Sequence, residues 1–167
     1  MRVFCTNMKP VFTPELAKLS FIVGSYKTKT EVTVGKNPSV GTGTVRARWP
    51  LDSMFVVIRG SEENPELGSY KSIGLLDYDA EKSRFVLSIF NNFGERPQYK
   101  GSFEGDTLIL SAKITATHGS FEQEVKRFKE GSNVKLQFYA NFGKGYSRII
   151  DKTASPVQKT GRATTGD

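Results

Sequence analysis

The stretch Phe121-Glu122-Gln123-Glu124-Val125-Lys126-Arg127-Phe128-Lys129, then Glu130-Gly131-Ser132, then Asn133-Val134-Lys135-Leu136-Gln137-Phe138-Tyr139-Ala140, decides the fold. Its side chains alternate with period two on both sides of a glycine-containing turn, the pattern of a β-hairpin. In the first arm Glu122, Glu124 and Lys126 share one face, and Phe121, Gln123, Val125 and Arg127 share the other. The charged triplet belongs in water, so the second set points inward. In the second arm Val134, Leu136, Phe138 and Ala140 point in, against Lys135, Gln137 and Tyr139. Just upstream, Glu104-Gly105-Asp106-Thr107 turns Gln98–Glu104, with Tyr99, Gly101 and Phe103 inward, into Thr107–Thr115.

The same rhythm extends from Phe21 to Asp151. Phe21–Val34, Thr44–Trp49, Ser53–Gly60, Tyr70–Tyr78, Arg84–Phe90 and Tyr146–Lys152 complete a set of about ten strands. Short strands joined by tight turns predict an all-β fold, a closed antiparallel up-and-down barrel. Thr13-Pro14-Glu15-Leu16 marks a helix start, with a capping hydroxyl, proline at the first helical position and an acid near the positive end of the dipole. Gly24 limits that helix to about two turns, which cover one barrel end. Ser61–Ser69, containing Asn64-Pro65 and Gly68, is the expected flap over the mouth. Met54–Ile58 is apolar on both faces, so its outer side is expected to be covered by the helix or by a second copy of the chain, a homodimer. One domain over residues 1–152 and a disordered polar tail over 153–167 follow from where the pattern stops.

Composition narrows the function. The net charge is +7, but no run of five or more basic residues occurs, so the charge reads as solubility, or as preference for an anionic ligand. Tyr26-Lys27, Arg48-Trp49 and Tyr99-Lys100 set aromatic beside basic residues, yet strand neighbours point to opposite faces and make no nucleic-acid platform. Cys5 is the sole cysteine, which excludes an intrachain disulfide. The first twenty residues lack the apolar core of a signal peptide, and no segment approaches the ~20 apolar residues of a membrane-spanning helix. A cytoplasmic protein is expected.

No catalytic motif is present. His118, the single histidine, falls in the turn Ala116-Thr117-His118-Gly119-Ser120 without a second histidine or a nearby cysteine, which argues against a metal site and a nucleophilic triad. Asp77 and Asp79 share a strand face, and as paired carboxylates they are the acid/base candidates; the plainer reading is a strand entering a turn. Arg46, Arg48, Arg59, Arg127 and Arg148 lie inside strands, and Arg127 shares its face with the inward Phe121, Gln123 and Val125. A buried arginine needs a partner, which a ligand carboxylate or phosphate would supply; the plainer reading is an arginine at the barrel rim, or one paired internally with Asp or Glu. The expected function is therefore a carrier or sensor for a small hydrophobic or amphipathic, anionic molecule, with no cofactor. Its expected lining is Phe55, Tyr78, Tyr99, Phe103, Phe121, Gln123, Arg127 and Phe138, with Gln123 orienting the ligand and Arg127 receiving its negative end. The alternatives are an isomerase or cyclase that uses the cavity, with Asp77 or a cavity tyrosine as acid/base, and a filled barrel acting as an interaction module.

Several short motifs resemble a known group. Leu19-Ser20-Phe21-Ile22-Val23-Gly24-Ser25-Tyr26 resembles the opening of calycin-like barrels, where a short helix leads into Leu-x-Gly-x-Trp and Tyr26 stands at the tryptophan. Gly43 to Trp49-Pro50-Leu51-Asp52-Ser53-Met54-Phe55, Gly74-Leu75-Leu76-Asp77-Tyr78-Asp79, Arg84-Phe85-Val86 and Gly101-Ser102-Phe103 follow in the order of a bacterial lipocalin-like family known mainly as a domain of unknown function. The resemblance spans about residues 15–152 and implies the barrel. It also implies a stack of Tyr26 on Arg148 across the barrel floor. Haem-binding barrels of the nitrobindin group are similar in strand order and carry their proximal histidine on the last strand; Tyr146-Ser147-Arg148-Ile149-Ile150 has none.

Overall fold

The computed structural model describes residues 13–34, 37–50, 54–116 and 119–158. Thr13 caps a single helical turn, α1 (Pro14–Ala17), by accepting from the Leu16 amide at 3.3 Å, and the chain tightens into a 3-10 turn over Lys18–Ile22. Ten strands follow: β1 (Gly24–Val32), β2 (Ser39–Arg48), β3 (Val56–Asn64), β4 (Gly68–Asp79), β5 (Arg84–Asn91), β6 (Gln98–Glu104), β7 (Thr107–Ala116), β8 (Gly119–Glu130), β9 (Asn133–Asn141) and β10 (Tyr146–Pro156). Each pairs antiparallel with its chain neighbours, and β10 pairs with β1, so the sheet closes without an edge. The expected closed up-and-down barrel is the fold.

Up-and-down order places the β1–β2, β3–β4, β5–β6, β7–β8 and β9–β10 connections at one end, the mouth. The helix and the remaining connections lie at the other, the floor. There Leu16, Leu19 and Ile22 are buried in one apolar cluster with Phe85, Leu87, Leu108 and Val125, and Phe21 and Phe103 pack against it. Phe103 stacks edge-on with Phe85 and Phe21, at 5.3 and 6.3 Å between ring centres. Among the described residues this apolar plug packs the floor end of the barrel interior.

Four expectations about the elements are corrected. Phe21 belongs to the 3-10 turn, and β1 begins at Gly24, where φ is +156° and a Cβ would lie 2.9 Å from the Tyr26 hydroxyl. Ser61–Ser69 is not a flap. β3 runs through Asn64 and β4 starts at Gly68, with the Asn64 Oδ1 accepting from the Glu66 and Leu67 amides in a tight turn. β2 starts at Ser39 rather than Thr44, so Gly41 and Gly43 are strand residues. β10 continues past Lys152 to Pro156, where Thr153–Pro156 pair with Tyr26–Lys29 and close the barrel. The rest of the expected tail, 159–167, lies outside the described residues.

Candidate functional site

The inward side chains leave a cavity of about 410 Å³ inside the barrel, within the range of small-molecule sites. Much of its wall is apolar: Ile22, Val45, Ile58, Ile89, Leu136, Phe138, Ile150 and Ala154 contribute, with Leu67 and Phe93 at the mouth.

Polar groups enter this wall at a few places. Glu62, 8% exposed, lies on β3 opposite Gly43 of β2, which in turn lies opposite Thr28 of β1. Because Gly43 has no side chain, Glu62 reaches across β2. A Cβ on Gly43 would lie 2.6 Å from the Glu62 Cγ and 2.1 Å from the Ser61 carbonyl oxygen. The Glu62 Oε1 accepts from the Thr28 and Thr30 hydroxyls at 2.9 and 2.7 Å, and pairs with the Lys152 Nζ at 2.9 Å. Burial pushes the Glu62 carboxyl up, but Lys152 and the two hydroxyls outweigh it and hold the group below its ordinary value. Burial pushes the Lys152 amine down, and Arg127 adds to this, while Glu62 opposes both.

Arg127 differs from this satisfied pair. It is 8% exposed, and among the described residues no carboxylate lies within ion-pair distance of its guanidinium. Its Nε is buried without a hydrogen-bond partner. Burial lowers the guanidinium to about 10, the consequence of desolvating a cation without a counter-charge. Nearby walls are phenolic: Tyr99 donates to the Gln123 Oε1, and burial holds both Tyr70 and Tyr99 in the neutral form. At the mouth the exposed Glu95 accepts from the Asn91 Nδ2 at 2.8 Å.

Of the eight expected lining residues, Tyr99, Gln123, Arg127 and Phe138 meet around this cavity. The other four do not line it. Tyr78 and Phe103 pack with Phe85 in the floor plug. Phe121 is on the inward phase of β8, but it sits near the mouth against Phe142, 5.0 Å between ring centres. Phe55 lies on the outer surface in a groove with Leu75, Asp77 and Lys100. Asp77 and Asp79 belong to the same outer groove, where Asp79 faces Arg84 at 3.8 Å and Lys82 at 3.9 Å; neither is an acid/base of the cavity.

Arg46, Arg48 and Arg59 are exposed. Tyr26 does not stack on Arg148: register places Tyr26 opposite Pro156 at the floor, where its hydroxyl donates to the Val23 carbonyl, whereas Arg148 pairs with Asp151 at 2.8 Å on the outside near the mouth. His118 lies outside the described residues.

Sequence reasoning missed Glu62 and Lys152. The signal was available: Ile58, Gly60 and Glu62 keep the inward phase of β3, and Ile150, Lys152 and Ala154 that of β10. The acidic, proline-containing run after Gly60 concealed the first. A bulge between Arg148 and Ile150 shifts the phase ahead of the second.

A family model described as "Protein of unknown function (DUF1579)" matches residues 13–147. The chain belongs to this family. The match spans the helix, β1 to β9 and the start of β10, so it covers the whole wall except the closing strand. The crystal structure of Rv2717c from M. tuberculosis is similar with a TM-score of 0.64, at 13% identity, over 87% of this chain and 99% of that one. At that identity the likeness concerns the barrel architecture. No curated protein matches the chain. Among the described residues no group of histidine, cysteine and acidic side chains is arranged to hold a metal, and no helix is long and apolar enough to cross a membrane.

Proposed function

We propose that the barrel is a carrier or sensor for a small, partly apolar anion. One observation carries this reading: Arg127 is buried beside a largely apolar cavity with no acidic partner among the described residues. An uncompensated buried cation is costly, and a ligand carboxylate would remove that cost through charge-assisted hydrogen bonds. The phenols and Gln123 supply polar contacts around the head, and the apolar wall takes the rest of the molecule. Glu95 at the mouth disfavours an anionic head there, so the head goes in first.

Dodecanoate is a suitable probe, because it joins one carboxylate to a flexible apolar chain. Titration calorimetry should show saturable one-to-one binding, and Arg127→Met should weaken it about 10- to 150-fold, from the ~1.5–3 kcal/mol of hydrogen bonds to a charged group. Equal affinity in the variant would remove Arg127 from the site.

A further inference from the structure

We infer that Glu62 determines the charge class of the ligand, making the cavity select a monoanion over a dianion. The inference rests on the reading that Arg127 receives an anionic head. Among the described residues, three ionised side chains reach the interior away from the mouth: Glu62, Lys152 and Arg127. The nearby phenols of Tyr70 and Tyr99 are neutral.

Glu62 neutralises Lys152 at 2.9 Å and is fixed in that role by Thr28 and Thr30. One positive charge is left over, on Arg127. In a low-dielectric interior the best occupant cancels that charge and no more. A carboxylate does so. A phosphate monoester, dianionic above its second pKa of ~6, would leave an excess negative charge close to Glu62. Without the Glu62 charge, Lys152 and Arg127 would face the ligand as two cations, the arrangement that suits a phosphate. The glycine gap in β2 is what brings the carboxylate to this position, since any side chain at Gly43 would meet the Glu62 stem.

The test compares dodecanoate with dodecyl phosphate, which share a tail, by calorimetry at pH 8 on the native protein and on Glu62→Gln. The amide keeps an acceptor for both threonines and loses only the charge. Native protein should bind dodecanoate at least tenfold more tightly, and E62Q should shift the ratio tenfold or more toward the phosphate. A second variant, Lys152→Met, leaves Glu62 against Arg127 with no net charge, and should shift preference from dodecanoate toward dodecanol by tenfold or more. It keeps the test open if E62Q does not fold.

Ratios unchanged in E62Q or K152M, while Arg127→Met still weakens dodecanoate, overturn the role of Glu62 alone. A native preference for the phosphate does the same. Failure of every anionic probe to bind the native protein overturns the ligand reading and this inference together.

Discussion

Arg127→Met should make the empty protein more stable. Arg127 is 8% exposed, and burial lowers its guanidinium to about 10. Set against the ordinary arginine value, this corresponds to about 3 kcal/mol of disfavoured charge in the folded state. Met has similar reach and no charge to desolvate, and replacing buried ions by hydrophobes of similar volume stabilises by about 1–4 kcal/mol. Lost contacts of the arginine stem reduce the gain, so about 1–3 kcal/mol is expected. For a chain of this size that raises Tm by roughly 3–10 °C.

The sign of the pH dependence follows from the same shift. The folded value lies below the unfolded one, so the charged arginine destabilises the fold at all pH below about 10, and the deficit disappears as pH rises from there to the ordinary arginine value. The gain of the variant should therefore be constant from pH 5 to 9. Urea unfolding of protein freed of bound small molecules, at unchanged m-value, measures it. A structural arginine paired within the protein behaves oppositely: its loss would cost about 3–5 kcal/mol by orphaning the partner. A destabilised Arg127→Met would refute the claim that this guanidinium awaits a ligand.

Two further outcomes concern the support of the site. Gly43→Ala should destabilise by about 2–4 kcal/mol, since overpacking costs ~1–3 kcal/mol and the displaced Glu62 abandons Lys152; Gly74→Ala, whose Cβ would meet the flexible Leu87 Cδ1 at 3.3 Å, should stay within about 1 kcal/mol in the same unfolding assay. Acid should destabilise the barrel, because the Glu62 and Asp151 carboxyls are both held below their ordinary values: their stabilisation is full above those ordinary values and is lost as pH falls through the lowered ones. Glu62→Gln should flatten that pH dependence, and an identical acid limb would show that Glu62 contributes nothing to it.

The barrel was legible because alternation survives along the chain. Each phase assigned to β6, β8 and β9 holds, and it alone singled out Arg127 among the strand arginines. Legibility failed where local chemistry and tertiary pairing disagree. Glu62-Glu63-Asn64-Pro65 has the composition of a loop, yet pairing with Tyr70, Ser69 and Gly68 draws Glu62, Glu63 and Asn64 into β3. Gly41 and Gly43 look like the end of a loop, but the close approach of β3 requires them. Phe55, Tyr78, Phe103 and Phe121 show the limit of phase itself. Alternation assigns a face, whereas the position along the barrel axis decides between cavity, plug and rim. The charged pair of Glu62 and Lys152 joins residues far apart in sequence, and only barrel closure between β10 and β1 brings them together.

A crystal structure of the protein with dodecanoate would show whether Arg127 receives the head of the ligand. The carboxylate should lie within hydrogen-bond distance of the Arg127 guanidinium, with the alkyl chain running past Phe138 toward Leu67 and Phe93 at the mouth. A chain bound on the outer face beside Phe55 and Leu75, or a carboxylate at the mouth with Arg127 untouched, would contradict it.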